Sequence, residues 1–285
     1  MQWISKGNIL IVGLGLIGGS YAMALSRLGY HVTAIDERKE AIDYALREGI
    51  IRDGDTKVNP YLVTGADAVI FALYPNIFKQ WIAENQHLLR PGTRITDVTG
   101  VKSSVVYEIQ EMLRADLEYI PAHPMAGREL SGVENSDDRI FHGANYIVTP
   151  TPKNTSEAVE WCKDLGRILG FRKISVLTPE EHDEMIAFLS QLTHCIAVSL
   201  MTCSDNHHLV DYTGDSFRDL TRIARINDAM WSELFLMNKQ PLLDKMDTFL
   251  REFKELRDQL AADDKEGMRS KMRLSTERRG WFDRK

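Results

Sequence analysis

The stretch NILIVGLGLIGGSYAMALSRLGYHVTAID, residues 8–36, decides the fold of this chain. It consists of an apolar run, a glycine-rich turn, an amphipathic segment and a second apolar run that ends in an acid. Gly13, Gly15 and Gly18 form the pattern G-x-G-x-x-G directly after a strand-like run and directly before a helix-like one. In that context the glycines allow a tight turn, close approach of the backbone to a pyrophosphate, and close packing of helix on strand. The stretch therefore predicts a strand-helix-strand unit that binds a dinucleotide.

The glycine turn and the end of the second strand supply the expected cofactor contacts. Those in the turn are Gly13, Leu14, Gly15, Leu16, Ile17 and Gly18. We expect the helix N-terminus to face the phosphates. Asp36 closes the second strand, where a carboxylate accepts hydrogen bonds from ribose hydroxyls and repels a 2′-phosphate, so we expect NAD rather than NADP. Arg38 leaves an alternative open, because it is either a contact for such a phosphate or a residue of a solvated turn.

Composition limits the class of protein. At 285 residues the chain is long enough for two domains, and its 44% hydrophobic and 27% charged residues are typical of globular proteins. A net charge of −6 leaves no basic footprint, so we expect no nucleic-acid partner. The three cysteines lack C-x-x-C spacing, which fits reduced thiols in a cytoplasmic protein.

Neither a membrane span nor a metal site is expected. The apolar segment from Ile186 to Cys203 is interrupted too often by polar side chains to cross a bilayer. His207 and His208 are adjacent, so they do not face the same way on a helix, and no carboxylate or cysteine stands at ligand spacing. We therefore expect a soluble protein with no bound metal.

Strand-like runs alternate with helical segments through the first half of the chain. Asp67 to Leu73 and Arg94 to Val98 are two such strands, each followed by a helix. The alternation predicts an α/β fold with a doubly wound, Rossmann-type parallel sheet. Ligands of such sheets lie beyond the carboxyl ends of the strands. The residues expected to line the nicotinamide side are therefore Leu73, Tyr74, Pro75, Val98, Thr99 and Gly100.

His123 is the first candidate for acid/base chemistry. It stands between Pro121 and Pro124, after a strand predicted at Glu118 to Ile120, and we expect it in a stiff loop on the cofactor side of the sheet. An imidazole titrates near neutrality, which suits general acid/base work. The alternative is that His123 only ties the loop together by hydrogen bonds.

The character of the chain changes at Thr178, which precedes a proline and an acidic first turn and so predicts a helix start. We place a dinucleotide-binding domain at residues 1–177 and a helical substrate and dimerisation domain at 178–285. Two strands and a helix complete the first domain, at residues 145–149, 172–176 and 156–169. The helices of the second domain are predicted at residues 180–204, 215–225, 228–237, 240–262 and 265–278. Its first helix is apolar on most sides, so we expect a homodimer.

Two polar groups stand out in the helical half. Ser190 and His194 lie one turn apart on one face, where they form either a satisfied core contact or a site. Arg218, Arg222 and Arg225 share another face, and their like charges require compensation. That compensation comes either from neighbouring aspartates or from a dicarboxylate ligand, which the guanidinium fork matches.

Together these motifs resemble the prephenate dehydrogenase family of tyrosine biosynthesis, over roughly residues 7 to 260. The features that carry the resemblance are the glycine turn with Asp36, HPMAG from residue 123 with Glu129, EHD from 181, SQLTH from 190, FRDLTRIA from 217 and Met230-Trp231. The resemblance implies NAD-dependent oxidative decarboxylation of prephenate to 4-hydroxyphenylpyruvate.

The resemblance also implies roles for single residues. His123 would be the catalytic group at the C4 hydroxyl of the substrate, and His194 a second histidine that contacts substrate. Arg222 would bind a substrate carboxylate, with Arg218 as a basic neighbour. Glu129 would help to close the pocket.

This sequence departs from the family pattern at two points. Many relatives carry D-x-G-S-x-K, whereas Gly100 stands here in place of the serine, so either Thr99 supplies a hydroxyl or none is supplied. The junction reads SQLTH instead of SHLPH, which weakens a role for Gln191. Three alternatives stay open: an arogenate or dual-specificity dehydrogenase, another two-domain oxidoreductase of the kind that uses a helical-domain lysine, and a non-catalytic NAD-binding sensor.

Overall fold

A computed structural model describes residues 7–128 and 130–283 of the chain. Its main sheet is parallel throughout, with the strand order β3-β2-β1-β4-β5-β6. The strands are β1 Asn8–Val12, β2 His31–Ile35, β3 Asp53–Asp55, β4 Ala68–Phe71, β5 Arg94–Asp97 and β6 Glu118–Tyr119. The intervening helices are α1 Leu16–Arg27, α2 Lys39–Arg47, α3 Pro60–Gly65, α4 Pro75–Asn85 and α5 Ser103–Met112. The predicted Rossmann-type sheet is thus confirmed, with β3 and α3 as additions that the sequence pattern did not predict.

The apolar character of β1 follows from its central place in this sheet. Ile9 and Ile11 pack in one core cluster, whereas Leu10 and Val12 pack in the other, on the opposite face. A parallel strand that is covered on both faces must be apolar at successive positions. The apolar run from Ile9 to Val12 is therefore required by the burial of this strand on both faces.

The second half of the nucleotide-binding region forms a separate small sheet. It contains β7 Ala122–Met125, β8 Asn145–Val148 and β9 Lys173–Val176, with α6 Ser156–Ile168 between β8 and β9. β7 is antiparallel to β8 and forms the edge of this sheet. The prediction of a loop around His123 was therefore wrong, because an edge strand tolerates prolines such as Pro124.

The remainder of the described chain is helical, as predicted. A capping box between Thr178 and Glu181 begins α7 Pro179–Ile186, and a π-helical turn at Ala187–Gln191 joins it to α8 Leu192–Thr202. The later helices are α9 Asp215–Thr221, α10 Asp228–Met237, α11 Lys239–Ala261 and α12 Lys265–Gly280.

The helix predicted at residues 215–225 is shorter than expected. It ends at Thr221, and a 3-10 turn follows at Arg222–Ala224. Arg225 is then extended, and the side chain of Asn227 accepts the backbone N–H of Met230 to begin α10. The chain must leave the helical conformation before that new cap, which explains the early end.

The long helix Pro179–Thr202 leaves much of its apolar surface uncovered within one chain. By length and composition it is apolar enough to cross a membrane, and 28% of its most apolar window is buried. Phe188 and Leu189 are 53% and 46% exposed. Helices at the subunit interfaces of soluble proteins share this composition. The exposed apolar face is therefore typical of a protein–protein interface.

Candidate active site

The glycine turn has the geometry that a dinucleotide requires. Gly13 has φ +98°, and a Cβ there would lie 2.4 Å from the carbonyl oxygen of Ala72. A Cβ on Gly18 would lie 1.9 Å from the carbonyl oxygen of Gly13. A Cβ on Gly15 meets nothing within 4 Å, and no side chain caps α1 at this point. The first and third glycines are thus needed for packing, whereas the second borders open space at a helix N-terminus, where a pyrophosphate fits.

Asp36 lies at the end of β2, directly beside this turn. Its carboxylate accepts the backbone N–H of Leu14 at 2.6 Å and that of Arg38 at 2.9 Å. The Arg38 guanidinium donates to the same carboxylate at 3.2 Å and to the Leu14 carbonyl oxygen at 2.9 Å. A carboxylate has about four lone-pair sites, so these three bonds leave room for a ribose hydroxyl. The Arg38 guanidinium, which could attract a 2′-phosphate, is already paired with the Asp36 carboxylate.

Leu73, Tyr74 and Pro75 connect the end of β4 to α4. The Tyr74 hydroxyl accepts a hydrogen bond from the Asn227 side chain at 3.1 Å. One residue beyond Pro75, the backbone N–H of Asn76 donates to Glu233 at 3.0 Å. These bonds join the segment expected to line the cofactor to the helical half, so the candidate site lies where the two halves meet.

A buried ion pair lies behind the end of β5. The Lys102 ammonium donates to the Asp97 carboxylate at 2.7 Å, and both side chains have no exposed surface. Lys102 also donates to the carbonyl oxygen of Ala122 at 2.5 Å, and Asp97 accepts the Tyr119 hydroxyl at 2.9 Å. Burial lowers the pKa of Lys102, and the attraction of Asp97 opposes that shift. The pair thus fixes the end of β5 against the start of β7, next to His123.

Thr99 belongs to this buried cluster. Its hydroxyl contacts Asp97, and it is 3.0 Å from the carbonyl oxygen of Val101 and 3.1 Å from the Lys102 ammonium. With 4% of its surface exposed, Thr99 is occupied inside the protein. Of the two alternatives for this position, the placement favours the one in which no hydroxyl is supplied to a substrate.

Gly100 borders the candidate catalytic histidine. A Cβ at Gly100 would lie 3.9 Å from both Cε1 and Nε2 of His123, and 3.7 Å from Leu234. These are ordinary contact distances, so the gap beside Nε2 has room for a small group. The structure thus brings Gly100 and His123, a predicted substrate contact and the predicted catalytic group, directly together.

His123 is hydrogen-bonded to the helical half through His182. Its Nδ1 lies 2.9 Å from Nε2 of His182, and Nδ1 of His182 lies 2.8 Å from the Asp183 carboxylate. Burial, followed by the neighbouring His182 and the Lys102 charge, holds the pKa of His123 well below its usual value. His123 is therefore neutral near pH 7, which is the protonation state of a general base.

His194 and the arginines lie further along the helical half. The His194 ring stacks on Trp231 with centroids 3.7 Å apart, and its Nδ1 donates to the carbonyl oxygen of Ser190 at 2.9 Å. The turn that begins with Arg222 packs against α8, which carries His194.

Arg218 pairs with Asp215 at 3.1 Å, as the alternative of internal compensation predicts. The remaining predicted site residue, Glu129, lies outside the described residues.

Sequence reasoning missed the residues that hold His123. In the sequence, His182 and Asp183 appear only within the EHD motif, and the structure places them in the first two turns of α7. Gln191 is buried and donates to the carbonyl oxygen of Leu234 at 3.0 Å, which makes it a packing residue. Among the described residues, no group of three or more His, Cys, Asp or Glu side chains is arranged to hold a metal.

A Rossmann-type sheet with a dinucleotide turn, followed by a helical domain and a neutral histidine where they meet, defines a two-domain nucleotide-dependent dehydrogenase. Comparison with known proteins is more specific. Residues 21–174 match the family described as prephenate dehydrogenase, nucleotide-binding domain, and residues 178–274 match prephenate dehydrogenase, dimerization domain. The chain belongs to the prephenate dehydrogenase family.

Individual relatives agree with this assignment. The chain is 32% identical to the prephenate dehydrogenase of Bacillus subtilis over 276 residues, which cover 92% of this chain and 72% of the relative. It is 28% identical to the cyclohexadienyl dehydrogenase of Zymomonas mobilis, over 95% of this chain and 97% of the relative. A crystal structure of A. aeolicus prephenate dehydrogenase with hydroxyphenyl propionate and NAD+ superposes with a TM-score of 0.90 at 28% identity, covering 99% of this chain and 100% of that one.

Proposed function

We propose that this protein catalyses the NAD-dependent oxidative decarboxylation of prephenate to 4-hydroxyphenylpyruvate in tyrosine biosynthesis. The observation that carries the proposal is the placement of His123, a neutral imidazole whose Nε2 edge borders the gap at Gly100. Gly100 follows the carboxyl end of β5, where ligands of such sheets bind. Family membership and the named relatives support the same reaction.

We propose the following order of steps. NAD, when bound at the glycine turn, supplies the hydride acceptor for the C4 hydrogen of the substrate. His123 accepts the C4 hydroxyl proton, so a ketone forms at C4. The bond from the ring to its carboxylate then breaks, CO₂ leaves, and the electron pair makes the ring aromatic. His123 returns the proton to the phenolic oxygen, so no net proton is released.

The protein's contribution is positioning and charge placement. We propose that Arg222 holds a substrate carboxylate, that Arg218 adds positive charge nearby, and that His194 contacts the substrate from α8. Glu129 keeps its proposed role in closing the pocket. The packing of the Arg222 turn on α8 supports a shared surface for Arg222 and His194.

We also propose a cytoplasmic homodimer, with a dinucleotide-binding domain at residues 1–177 and a helical substrate and dimerisation domain at 178–285. The family match to a dimerization domain and the exposed apolar face of Pro179–Thr202 support the dimer. The division at residue 177 falls between the two family matches, and it precedes the capped start of α7.

A second candidate is a dual-specificity enzyme that also accepts arogenate. The relative in Zymomonas mobilis, which is named a cyclohexadienyl dehydrogenase, favours this candidate. Arogenate differs from prephenate in a side-chain amine that is distant from the reacting ring, so His123 would serve both substrates.

One spectrophotometric experiment tests these proposals. NADH or NADPH formation is measured with prephenate and with arogenate, under NAD and under NADP. We expect rapid NADH formation with prephenate and NAD, together with equimolar CO₂. Turnover of arogenate at a similar rate would support dual specificity, and cofactor binding without turnover of either substrate would favour the sensor alternative.

A further inference from the structure

His123, His182 and Asp183 form a row of hydrogen-bonded side chains that crosses from the nucleotide-binding half of the molecule to the helical half. His123 lies on β7, whereas His182 and Asp183 lie in the first two turns of α7. The distances along the row are 2.9 Å between the two imidazoles and 2.8 Å from His182 to Asp183. His182 has no exposed surface, and Asp183 is 3% exposed. His182 and Asp183 are thus shielded from water, whereas His123 is partly buried. The partners available to the His182 ring are therefore supplied by the protein.

The Asp183 carboxylate is fixed by other donors. Its Oδ1 accepts the backbone N–H of Lys102 at 2.8 Å, and its Oδ2 accepts that of Ser103 at 2.7 Å. The Asn238 side chain donates to the main-chain oxygen of Asp183 at 2.9 Å. Although burial opposes the shift, the hydrogen bonds from His182 and the two backbone donors hold the pKa of Asp183 below its usual value. Asp183 is therefore an ionised group that only accepts hydrogen bonds.

An acceptor at one end of the row determines every proton position along it. Because Asp183 only accepts, Nδ1 of His182 must carry the hydrogen of that bond. A neutral imidazole has one N–H, so Nε2 of His182 is an acceptor. Nδ1 of His123 must then be the donor to it. The remaining ring nitrogen of His123, Nε2, is left with its lone pair, on the edge that borders Gly100.

We propose that His182 and Asp183 are positioning residues that fix the tautomer of His123, with its proton on Nδ1 and its lone pair on Nε2. The catalytic consequence rests on the proposed function, because Nε2 is then the atom that takes the C4 hydroxyl proton. The tautomer itself is a property of the protein alone. Neutral imidazole in water favours the opposite tautomer, with the proton on Nε2, which would present a donor where the reaction needs an acceptor.

Two substitutions at one position separate tautomer control from general packing. In His182→Gln the terminal amide reaches the place of the imidazole Nε2, and its oxygen accepts the Nδ1 hydrogen of His123. In His182→Asn the amide reaches only the place of Nδ1, so it contacts Asp183 and leaves His123 without an acceptor. Both changes remove the same ring, so an effect of packing alone is similar in the two variants.

The first measurement is the tautomer, read from long-range ¹H–¹⁵N correlation spectra of protein labelled with ¹⁵N-histidine. We expect the Nδ1–H form of His123 in the wild type and in His182→Gln, and mainly the Nε2–H form in His182→Asn. Assignment uses the loss of the His123 signals in His123→Asn. The wild-type tautomer is read without either His182 variant, so a His182 variant that fails to fold leaves the proposal open to contradiction.

The second measurement is the split between kcat and KM for prephenate. A wrong tautomer lowers kcat by up to about 10⁴-fold in a related arrangement of histidine and aspartate. We expect kcat of His182→Asn to fall about 100-fold or more, kcat of His182→Gln to fall less than about tenfold, and KM to change little in both.

The outcomes distinguish this inference from the proposed function. An Nε2–H form of His123 in the wild type would overturn the inference, as would equal kcat losses in the two variants. If the expected spectra are found but the wild type does not turn over prephenate, the proposed function fails while the tautomer assignment stands.

Discussion

The two halves of this molecule differ in how far their apolar side chains are exposed. Residues Ile9 to Val12 of β1 are each at most 3% exposed, whereas Leu250 and Phe253 of α11 are 59% and 62% exposed. The nucleotide-binding half is packed on both sides of its sheet and holds His123 in a rigid frame. The helical half leaves apolar and basic side chains at the surface, where a second subunit and a substrate can use them. We infer that the first half fixes the chemistry, while the second half supplies binding and assembly.

Loss of the base should produce the largest effect. We expect His123→Asn to lower kcat by about 10²- to 10⁴-fold, the usual contribution of a positioned acid/base group, with little change in KM. Steady-state kinetics with prephenate checks this, and NAD affinity measured by fluorescence is the control. Near-normal kcat with intact cofactor binding would remove His123 from catalysis.

Loss of a charge from the packed half should destabilise the protein strongly. Lys102→Met leaves Asp97 buried without its cation, which costs about 3–5 kcal/mol of unfolding free energy. The matched control is Lys254→Met in the helical half, because Lys254 pairs with Asp258 at 2.5 Å on the surface. We expect little change in the unfolding midpoint of the control. Equal effects in urea titrations would contradict the contrast between the halves.

Loss of Arg222, the residue proposed to bind a substrate carboxylate, should weaken substrate binding. We expect Arg222→Ala to raise KM for prephenate about ten- to hundredfold, the usual loss for a charged hydrogen bond, with a smaller change in kcat. Arg218→Ala should change KM less, because the Arg218 guanidinium already pairs with Asp215 and donates to the carbonyl oxygen of Thr213 at 3.0 Å. A larger rise in KM for Arg218→Ala than for Arg222→Ala would show that Arg218, and not Arg222, binds the substrate carboxylate.

Cofactor preference should change moderately when Asp36 is replaced. In Asp36→Ser the negative charge beside the ribose is lost and Arg38 is released from its ion pair. We expect the preference for NAD over NADP, as a ratio of kcat/KM, to fall at least about tenfold. An unchanged ratio would show that cofactor choice is made elsewhere.

The dependence on pH should be the mildest effect at neutrality. Burial lowers the pKa of His123, so the base becomes protonated only at a pH well below its usual value. The rate should fall on the acid side as His123 gains its proton and should be flat through neutral pH. An acid limb with its midpoint at or above about 6.5, the ordinary histidine pKa, would contradict this placement.

The sequence predicted the features that depend on neighbouring residues. The glycine turn and the helix start at Thr178 are local, and both were found from spacing alone. β3 was missed because Asp53–Asp55 has no apolar run. The row from His123 to Asp183 was missed because its first hydrogen bond joins His123 to His182, which stands 59 positions later in the chain. Sequence periodicity carries no information about such a contact. Lys102 and Asp97 are only five positions apart, but their burial depends on Ala122 and Tyr119 from later strands, so the pair was not predicted.

The central claim is that an imidazole from the packed half and a guanidinium from the exposed half act on one substrate. A crystal structure of the protein with NAD and a 4-hydroxyphenyl carboxylate tests this claim most directly. We predict the ligand hydroxyl within about 2.6–3.2 Å of His123 Nε2, and its carboxylate on Arg222 of either subunit. A ligand whose hydroxyl lies away from His123, or an Arg222 too distant to reach the same ligand in either subunit, would contradict the account.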